Sequence, residues 1–318
     1  MYSTGGVLKI NPSDTATYKG NGCNTTIKTI EFDPSGNIWL GGDFTTCYFG
    51  GSGVTNNANY IAKISPAGVR MQIAPGDVAT ATGNGFVAGV NTIKADTLGN
   101  VFVGGKFYAS YIGGSGVNFN ANYLAKISGT GRVPVNSGDI TSGTGNGFSN
   151  QVNSLLIDRS GNLYVGGGFF AAYVGGALST ATYNSQLIAK LSPAGVIQKI
   201  NSLDTAPSNG FFGSNGYIDA LSLDSLNNII IGGNFTSSQV GASSYATNNI
   251  SKISSTGIRL LINSADTATA TGNGFNNIVR SILVDSSDKM IIGGDMTAYK
   301  TTAGGYLFRL NADGTDNN

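Results

Sequence analysis

The chain has no histidine, one glutamate (Glu31), one tryptophan (Trp39) and only two cysteines, Cys23 and Cys47. Without histidine, imidazole-based catalytic triads and His-ligated metals are excluded. Two cysteines cannot build a Cys-rich metal site. Charge is sparse: charged residues make up 11% of the chain, the formal net charge is +1, and no basic run occurs. That balance argues against nucleic acid as a partner. No apolar run approaches the roughly 18 residues a transmembrane helix needs, so membrane insertion is not expected. The opening Met1-Tyr2-Ser3-Thr4-Gly5-Gly6 has neither the basic start nor the apolar stretch of a secretory signal.

What is present is a β pattern. Ile, Val, Leu, Phe and Tyr occur in short clusters bounded by Gly, Asn, Asp and Ser, and glycine reaches 48 of 318 residues. An apolar cluster followed by Gly-Gly recurs as Trp39–Phe44, Phe102–Phe107, Tyr164–Phe169, Ile230–Phe235 and Ile291–Met296. The first glycines (Gly41, Gly104, Gly166, Gly232, Gly293) are 63, 62, 66 and 61 residues apart. Periods of this size mark repeated structural units. Each unit divides into four short strands. In the first unit these are Ile27–Asp33, the strand ending at Gly41-Gly42, Tyr60–Ser65 and Val69–Ile73. A turn such as Asp33-Pro34-Ser35-Gly36-Asn37 links the first two, with Asp bonding its own backbone and Gly accepting positive φ. Asn227 and Asp288 replace that glycine in units four and five, as the next-best residues for the conformation.

The ends of the chain fall in mid-pattern. Gly6-Val7-Leu8-Lys9-Ile10-Asn11 reads as a fourth strand, and the fifth unit stops after its third strand and the turn Ala312-Asp313-Gly314. The expectation is a single domain over residues 1–318: a five-bladed β-propeller of four-stranded antiparallel blades. Its ring is closed by the N-terminal strand, about residues 5–11, completing the last blade, about residues 279–314. Radial arrays of this kind leave only short, protected edges.

The wording Asp-x-x-Gly-Asn, hydrophobic-Gly-Gly-x-Phe, then Ala-Lys-Ile or Phe308-Arg309-Leu310-Asn311-Ala312-Asp313-Gly314-Thr315 resembles the delta-60 repeat family of β-propellers over nearly the whole chain. The resemblance implies a propeller and no particular activity.

Alternate loops share an end of a blade. The turns after the first and third strands are short; the loops after the second and fourth strands are long and rich in Gly, Asn, Thr, Ser and Tyr. Loops on a rigid scaffold are where binding concentrates, and these residues suit sugars or another neutral polar surface. The candidate ligand-binding residues on this face are Tyr48, Tyr111, Tyr173, Asn59, Asn122, Asn84 and Asn146. Repetition of the tyrosines favours a structural role for them, and the Gly-Asn-Gly-Phe motif (Gly83–Phe86, Gly145–Phe148, Gly272–Phe275) favours a turn with a buried Phe. Asp14, Asp77, Asp139, Asp204 and Asp266 follow the fourth strands; loop capping is favoured over Ca²⁺, which needs several converging oxygens. Lys63, Lys126, Lys190, Lys252 and Arg309 form a repeated basic position whose stems cover apolar surface. Cys23 and Cys47 fall on one face of the first blade, either as a disulfide or as two buried thiols.

Three functions compete. The first is a non-enzymatic extracellular structural or recognition module, most concretely a bacteriophage virion protein of tail or attachment type, with other virion or surface proteins and glycans as partners. The second is a secreted or surface bacterial adhesin or lectin. The third is a propeller glycosidase, which needs two carboxylates flanking the scissile bond; Glu31 and Asp219 are the only unmatched acids on first strands. No cofactor, metal or catalytic residue is expected.

Overall fold

The computed structural model describes residues 22–48, 56–57, 59–77, 84–113, 119–120, 122–139, 147–174, 185–204, 209–240, 244–266 and 273–317. Among them there is no helix; the protein is all β. Two compact units are present, the first reaching to Val135 and the second holding Asn136–Asp139 and Gly145 onward.

The first unit carries two four-stranded antiparallel sheets. One is built from Ile27–Phe32, Ile38–Gly42, Ile61–Ile64 and Arg70–Met71, the other from Val90–Ala95, Val101–Gly105, Leu124–Ser128 and Gly131–Val133. The second unit carries two more, Val152–Ile157, Leu163–Gly167, Ile188–Leu191 with Ile197–Gln198, and Tyr217–Leu223, Ile229–Asn234, Ile250–Ile253 with Arg259–Leu260. Its third sheet has Val279–Val284, Met290–Gly294 and Leu307–Leu310. The strands pair in chain order, as a meander does.

The double glycine does two jobs. The second glycine lies opposite a register shift in the first strand, between Ile27 and Thr29 in sheet one and at the same place in the others. A Cβ on Gly42 would sit 2.0 Å from Thr26 O, and one on Gly233 2.1 Å from Tyr217 O. This bulge adds one residue to the strand, so residues three apart face the same way. The first glycine seats the next sheet. A Cβ on Gly41 would meet Val90 Cγ1 at 2.4 Å and Ile93 Cδ1 at 3.0 Å; Gly166 meets Ile218 and Gly232 meets Val279 and Ile282 in the same manner. Sheet one thus stacks on sheet two within the first unit, and sheets three, four and five stack in order within the second. The cores lie between sheets: Trp39, Ile61, Val90, Ile93 and Val103 are buried together in one unit, and Tyr164, Ile188, Ile218, Ile231 and Ile253 in the other.

The expected turns are present. Asp33 Oδ1 accepts from the backbone NH of Ser35 and Asn37 at 3.0 Å, and Asp96, Asp158, Asp224 and Asp285 repeat the pattern. Gly36 has φ 77°, and Asn227 and Asp288 take φ 65° and 60° in its place. One backbone feature was not legible. Tyr60, Tyr123, Leu187 and Asn249, one residue before the third strand of sheets one to four, sit at φ 63–67°, a region costly for side chains of this bulk. Hydrogen bonds on both sides hold them there: Tyr60 NH donates to Phe44 O at 2.7 Å and Tyr60 O accepts from Gly42 NH at 3.1 Å.

The fifth sheet ends differently from the other four. Among the described residues it has three strands, and after the turn the C-terminal residues add a single antiparallel bridge to the third. Leu310 bridges Asp316, Asn311 NH bonds Thr315 O, and Asn317 NH bonds Arg309 O at 2.9 Å. These are the positions where Val69, Arg70 and Met71 stand in sheet one. Residues 5–11, the expected closing strand, lie outside the described residues.

Candidate functional site

The loop end of each unit carries a second, smaller tier of pairing. In the first unit Gly22–Cys23, Thr46–Tyr48 and Asn56–Asn57 form a three-stranded sheet, and Ala109–Ser110 pairs with Phe119–Asn120. In the second, Ser185–Gln186, Asn209–Phe212, Ser237–Gln239 and Ser244–Ala246 form a four-stranded sheet, and Ala298–Tyr299 pairs with Thr302–Ala303. Parallel bridges tie neighbouring repeats within a unit, Asn59 to Gly85 and Asn248 to Gly274.

A buried aromatic plugs each tier. Phe86 lies 4.1 Å from Phe107 by ring centroids, Phe148 4.4 Å from Phe169, Phe211 4.8 Å from Phe235 and Phe275 4.8 Å from Tyr299. The Gly-Asn-Gly-Phe motif is therefore a turn with a core aromatic where it is described; Gly83, Gly145, Asn146 and Gly272 lie outside the described residues. In the first repeat Cys23 stands where that Phe would be. It pairs in register with Cys47 and the two are bridged as a disulfide, resolving the alternative left open by the sequence.

The candidate residues divide. Asn59, Asn84 and Tyr111 meet at one junction: Asn59 NH donates to Asn84 O at 3.2 Å, Phe86 NH to Asn59 O at 3.0 Å, and Tyr111 NH to Gly85 O at 2.8 Å. Asn84 is buried there, while Asn59 and Tyr111 are half-buried. Tyr173, also half-buried, repeats the contact to Gly147 O at 2.6 Å. Tyr48 pairs through its backbone with Gly22. Asn122 is half-buried beside Tyr123, and Asn146 is outside the described residues. Tyr48, Asn59, Asn84, Tyr111 and Tyr173 are thus held by backbone pairing.

Two aromatics that the sequence reading passed over stand out instead. Tyr108 and Phe170 are each 63% exposed, directly after the buried Phe107 and Phe169. The same repeat position is Thr45, Thr236 and Thr297 elsewhere. There the corner is closed by polar contacts. Asn24 accepts from Thr45 NH at 3.0 Å and donates to its Oγ1 at 3.1 Å, and Asn276 does the same for Thr297. Val87 takes the place of Asn24 beside Tyr108. Ser149 takes it beside Phe170, its Oγ accepting from Phe170 NH at 3.0 Å and Ala171 NH at 3.1 Å. The corner's backbone is kept while its side chain becomes a free aromatic face. The signal available in the sequence was this break of the repeat, Thr to Tyr or Phe in two units of five.

The acids and bases are engaged with each other. Glu31 pairs with Lys94 at 3.0 Å and accepts from Ala95 NH. Asp219 pairs with Arg280 at 3.1 Å and accepts from Asn153 at 2.9 Å. Burial pushes the Asp219 carboxyl up, opposed by Arg280. Asp77, Asp139, Asp204 and Asp266 cap their loops, Asp204 Oδ2 accepting from Asn201 NH at 2.8 Å; Asp14 lies outside the described residues. Lys63, Lys126 and Lys190 lie over the rings of Trp39, Phe102 and Tyr164, and Lys252 pairs with Asp224 at 2.8 Å. No group of three metal-ligating side chains occurs among the described residues, and none of their helices could cross a membrane, since none is present.

No family model matches the chain, and no curated protein does. Among solved structures it is similar to PorZ, a bacterial surface component of the type-IX secretion system of Porphyromonas gingivalis, with 14% identity, TM-score 0.45, and 95% of this chain and 34% of that one covered. It is also similar to virginiamycin B lyase from Staphylococcus aureus (10% identity, TM-score 0.38, coverage 94% and 84%). A third is the extracellular domain of a putative hybrid two component system of B. thetaiotaomicron (12%, 0.37, 87% and 37%). The chain spans about a third of the PorZ chain that it matches. Likeness at this level carries no argument about architecture or activity.

Proposed function

We propose that the chain is a non-enzymatic extracellular recognition module, a propeller-type array of five delta-60-like blades that binds neutral glycans on its loop face. The observation that carries this reading is an exposed aromatic in each unit, Tyr108 in the first and Phe170 in the second, each set on a hydrogen-bonded corner where three other repeats have Thr. A flat ring held on a rigid corner stacks on the apolar face of a sugar at little entropic cost. The neighbouring hydroxyls and amides supply neutral donors and acceptors. The Cys23–Cys47 disulfide fits an oxidising, extracellular compartment. The low charge and abundant Asn, Ser, Thr and Gly suit a virion tail or attachment protein, and we place it there rather than among bacterial adhesins. Hydrolysis is disfavoured because Glu31 and Asp219 are each committed to a cation.

The test is a glycan array with the wild-type chain, followed by titration of the hits against Tyr108→Thr and Phe170→Thr. Each substitution restores the residue of the other repeats, so stability should hold while affinity falls about tenfold, near 1.4 kcal/mol. Absence of any glycan hit, or unchanged affinity in the double variant, would overturn the reading. Turnover of a glycan lost in Glu31→Gln would replace it with the glycosidase.

A further inference from the structure

We propose that the primary sugar subsite is the Phe170 corner, where an uncharged pyranose stacks on the Phe170 ring and sets its hydroxyls in the gap over Gly168, against the Asn150 and Gln151 amides. The proposal deepens the glycan reading above and rests on it. Every residue it uses belongs to the second unit.

The gap is a break of the repeat separate from the exposed ring. Two residues before the corner, the five repeats carry Asp43, Lys106, Gly168, Asn234 and Asp295. Only Gly168 has no side chain. Three of the others are bonded in place: Asp43 pairs with Lys28 at 2.7 Å, Asp295 with Arg280 at 2.6 Å, and Asn234 Nδ2 donates to Asn215 O at 3.3 Å. Backbone geometry does not demand this glycine. Its φ is not positive, and a Cβ on it would meet nothing nearer than Asn150 Nδ2 at 3.8 Å, an ordinary contact. The preceding Gly166 and Gly167 have no such room, with Ile218 Cγ2 at 2.6 Å and Gln151 O at 2.2 Å. The fold would accept a side chain at Gly168, and the sequence leaves it out.

The gap is lined by groups that suit a sugar. Asn150 Nδ2, Gln151 Cγ and Tyr217 Cβ stand 3.8–3.9 Å from the place of the missing Cβ. Asn150 is exposed, and Gln151 and Tyr217 are half-buried. Gln151 NH donates to Asn150 Oδ1 at 2.7 Å, which fixes that amide and leaves its Nδ2 without an acceptor among the described residues. The Gln151 amide and the Tyr217 hydroxyl are without a hydrogen-bond partner there too. Backbone bonds put the ring beside the gap. Gly168 NH donates to Gln151 O at 3.0 Å and Phe170 NH to Ser149 Oγ at 3.0 Å, so residues 149–151 run along 168–170 with Asn150 between the two bonds.

The ligand class follows from these groups. A flat apolar ring covers the apolar face of a pyranose, and amides both donate to and accept from its hydroxyls. Ring and amide are already held, so little freedom is lost on binding. None of the lining side chains is charged, so a carboxylated sugar gains nothing over its neutral counterpart. At the Tyr108 corner the matching place is taken by the exposed Lys106, which leaves a platform without the gap.

The experiment titrates the methyl glycosides of glucose, galactose, mannose, N-acetylglucosamine and glucuronic acid into the chain, followed by ligand-observed NMR. At least one neutral glycoside should bind, and the glucuronide no tighter than the glucoside. Gly168→Lys, the residue of the second repeat, and Phe170→Thr should each weaken binding about tenfold, and Asn150→Ala about three- to tenfold. Gly168→Lys combined with Phe170→Thr should lose no more than the larger single loss, because both empty one subsite. Melting temperatures should hold, and Asn150→Ala decides the matter if Gly168→Lys lowers its own. Affinity that responds to Phe170→Thr or Tyr108→Thr but not to Gly168→Lys and Asn150→Ala overturns the subsite and leaves the glycan reading standing. A glucuronide that binds tighter than the glucoside overturns it as well. Binding of none of the glycosides overturns the subsite, and the array then decides the glycan reading separately.

Discussion

The two ends of each sheet behave differently. At the short-turn end five repeats use nearly the same chemistry, an Asp accepting two backbone hydrogens and a residue of positive φ three positions on. At the loop end the plug is Phe in four repeats and a disulfide in the first, and the corner residue is Thr, Tyr or Phe. The short-turn end is dictated by backbone geometry, which tolerates few substitutes. The loop end needs only a filled core and a paired backbone, so its outward side chains are free to differ, and difference there is where recognition can reside.

Four experiments would break or sharpen that contrast. The largest expected effect is at the loop end of repeat one. Reducing the disulfide, or replacing Cys23 and Cys47 by Ser, frees a loop of sequence separation 24 and should cost about 3 kcal/mol, read as a lower denaturant midpoint. Recovery of full stability in Cys23→Phe with Cys47→Ser would show that the bridge merely substitutes for the aromatic plug. Next, Gly232→Val should lower stability by about 2 kcal/mol because Val279 and Ile282 leave no room. Gly293→Val, whose Cβ would meet nothing nearer than Tyr306 O at 3.9 Å among the described residues, should be close to neutral, and equal losses at both sites would show that contact with the next sheet is not what the first glycine serves.

At the short-turn end, Asp224→Ala removes bonds to Leu226 NH, Asn228 NH and the Asn228 side chain, and strips Lys252 of its partner. A loss of about 1–3 kcal/mol is expected by equilibrium unfolding. The smallest effect is titration. Burial works to raise the Asp224 and Asp33 carboxyls, but for Asp224 the Lys252 and Asn228 contacts prevail, and for Asp33 those of Asn37 and Trp39, so both are held below the usual carboxylate range. A depressed folded value adds stability that is complete above the unfolded value, about 4, and is lost as pH falls through the folded one. The melting temperature should therefore drop below about pH 4, and Asp224→Asn should flatten that drop; an acid profile unmoved by the substitution would remove the turn carboxylates as its cause.

Much of the sheet framework could be read from the residues. The Asp turns, the stand-in role of Asn227 and Asp288, the buried motif phenylalanines and the Lys stems over rings follow from local propensity or from strict repetition. The bulge opposite Gly42 was not readable, because one extra residue in a strand leaves the apolar pattern looking like simple alternation. The strained Tyr60 and Tyr123 were missed for a related reason: their φ is imposed by hydrogen bonds to Phe44, Phe107 and the glycine before each, all distant along the chain. At the candidate site, repeated tyrosines drew attention while Tyr108 and Phe170 did not, since only exposure separates a plug from a platform.

The amino-acid order alone determined that this chain folds as repeated antiparallel sheets, because turn chemistry and alternation act between near neighbours. Which faces are covered was decided only in three dimensions. The same apolar pattern is buried at Val90 and Ile93, where another sheet lies against it, and exposed at Ile27 and Ile30, and no local feature of those strands distinguishes the two.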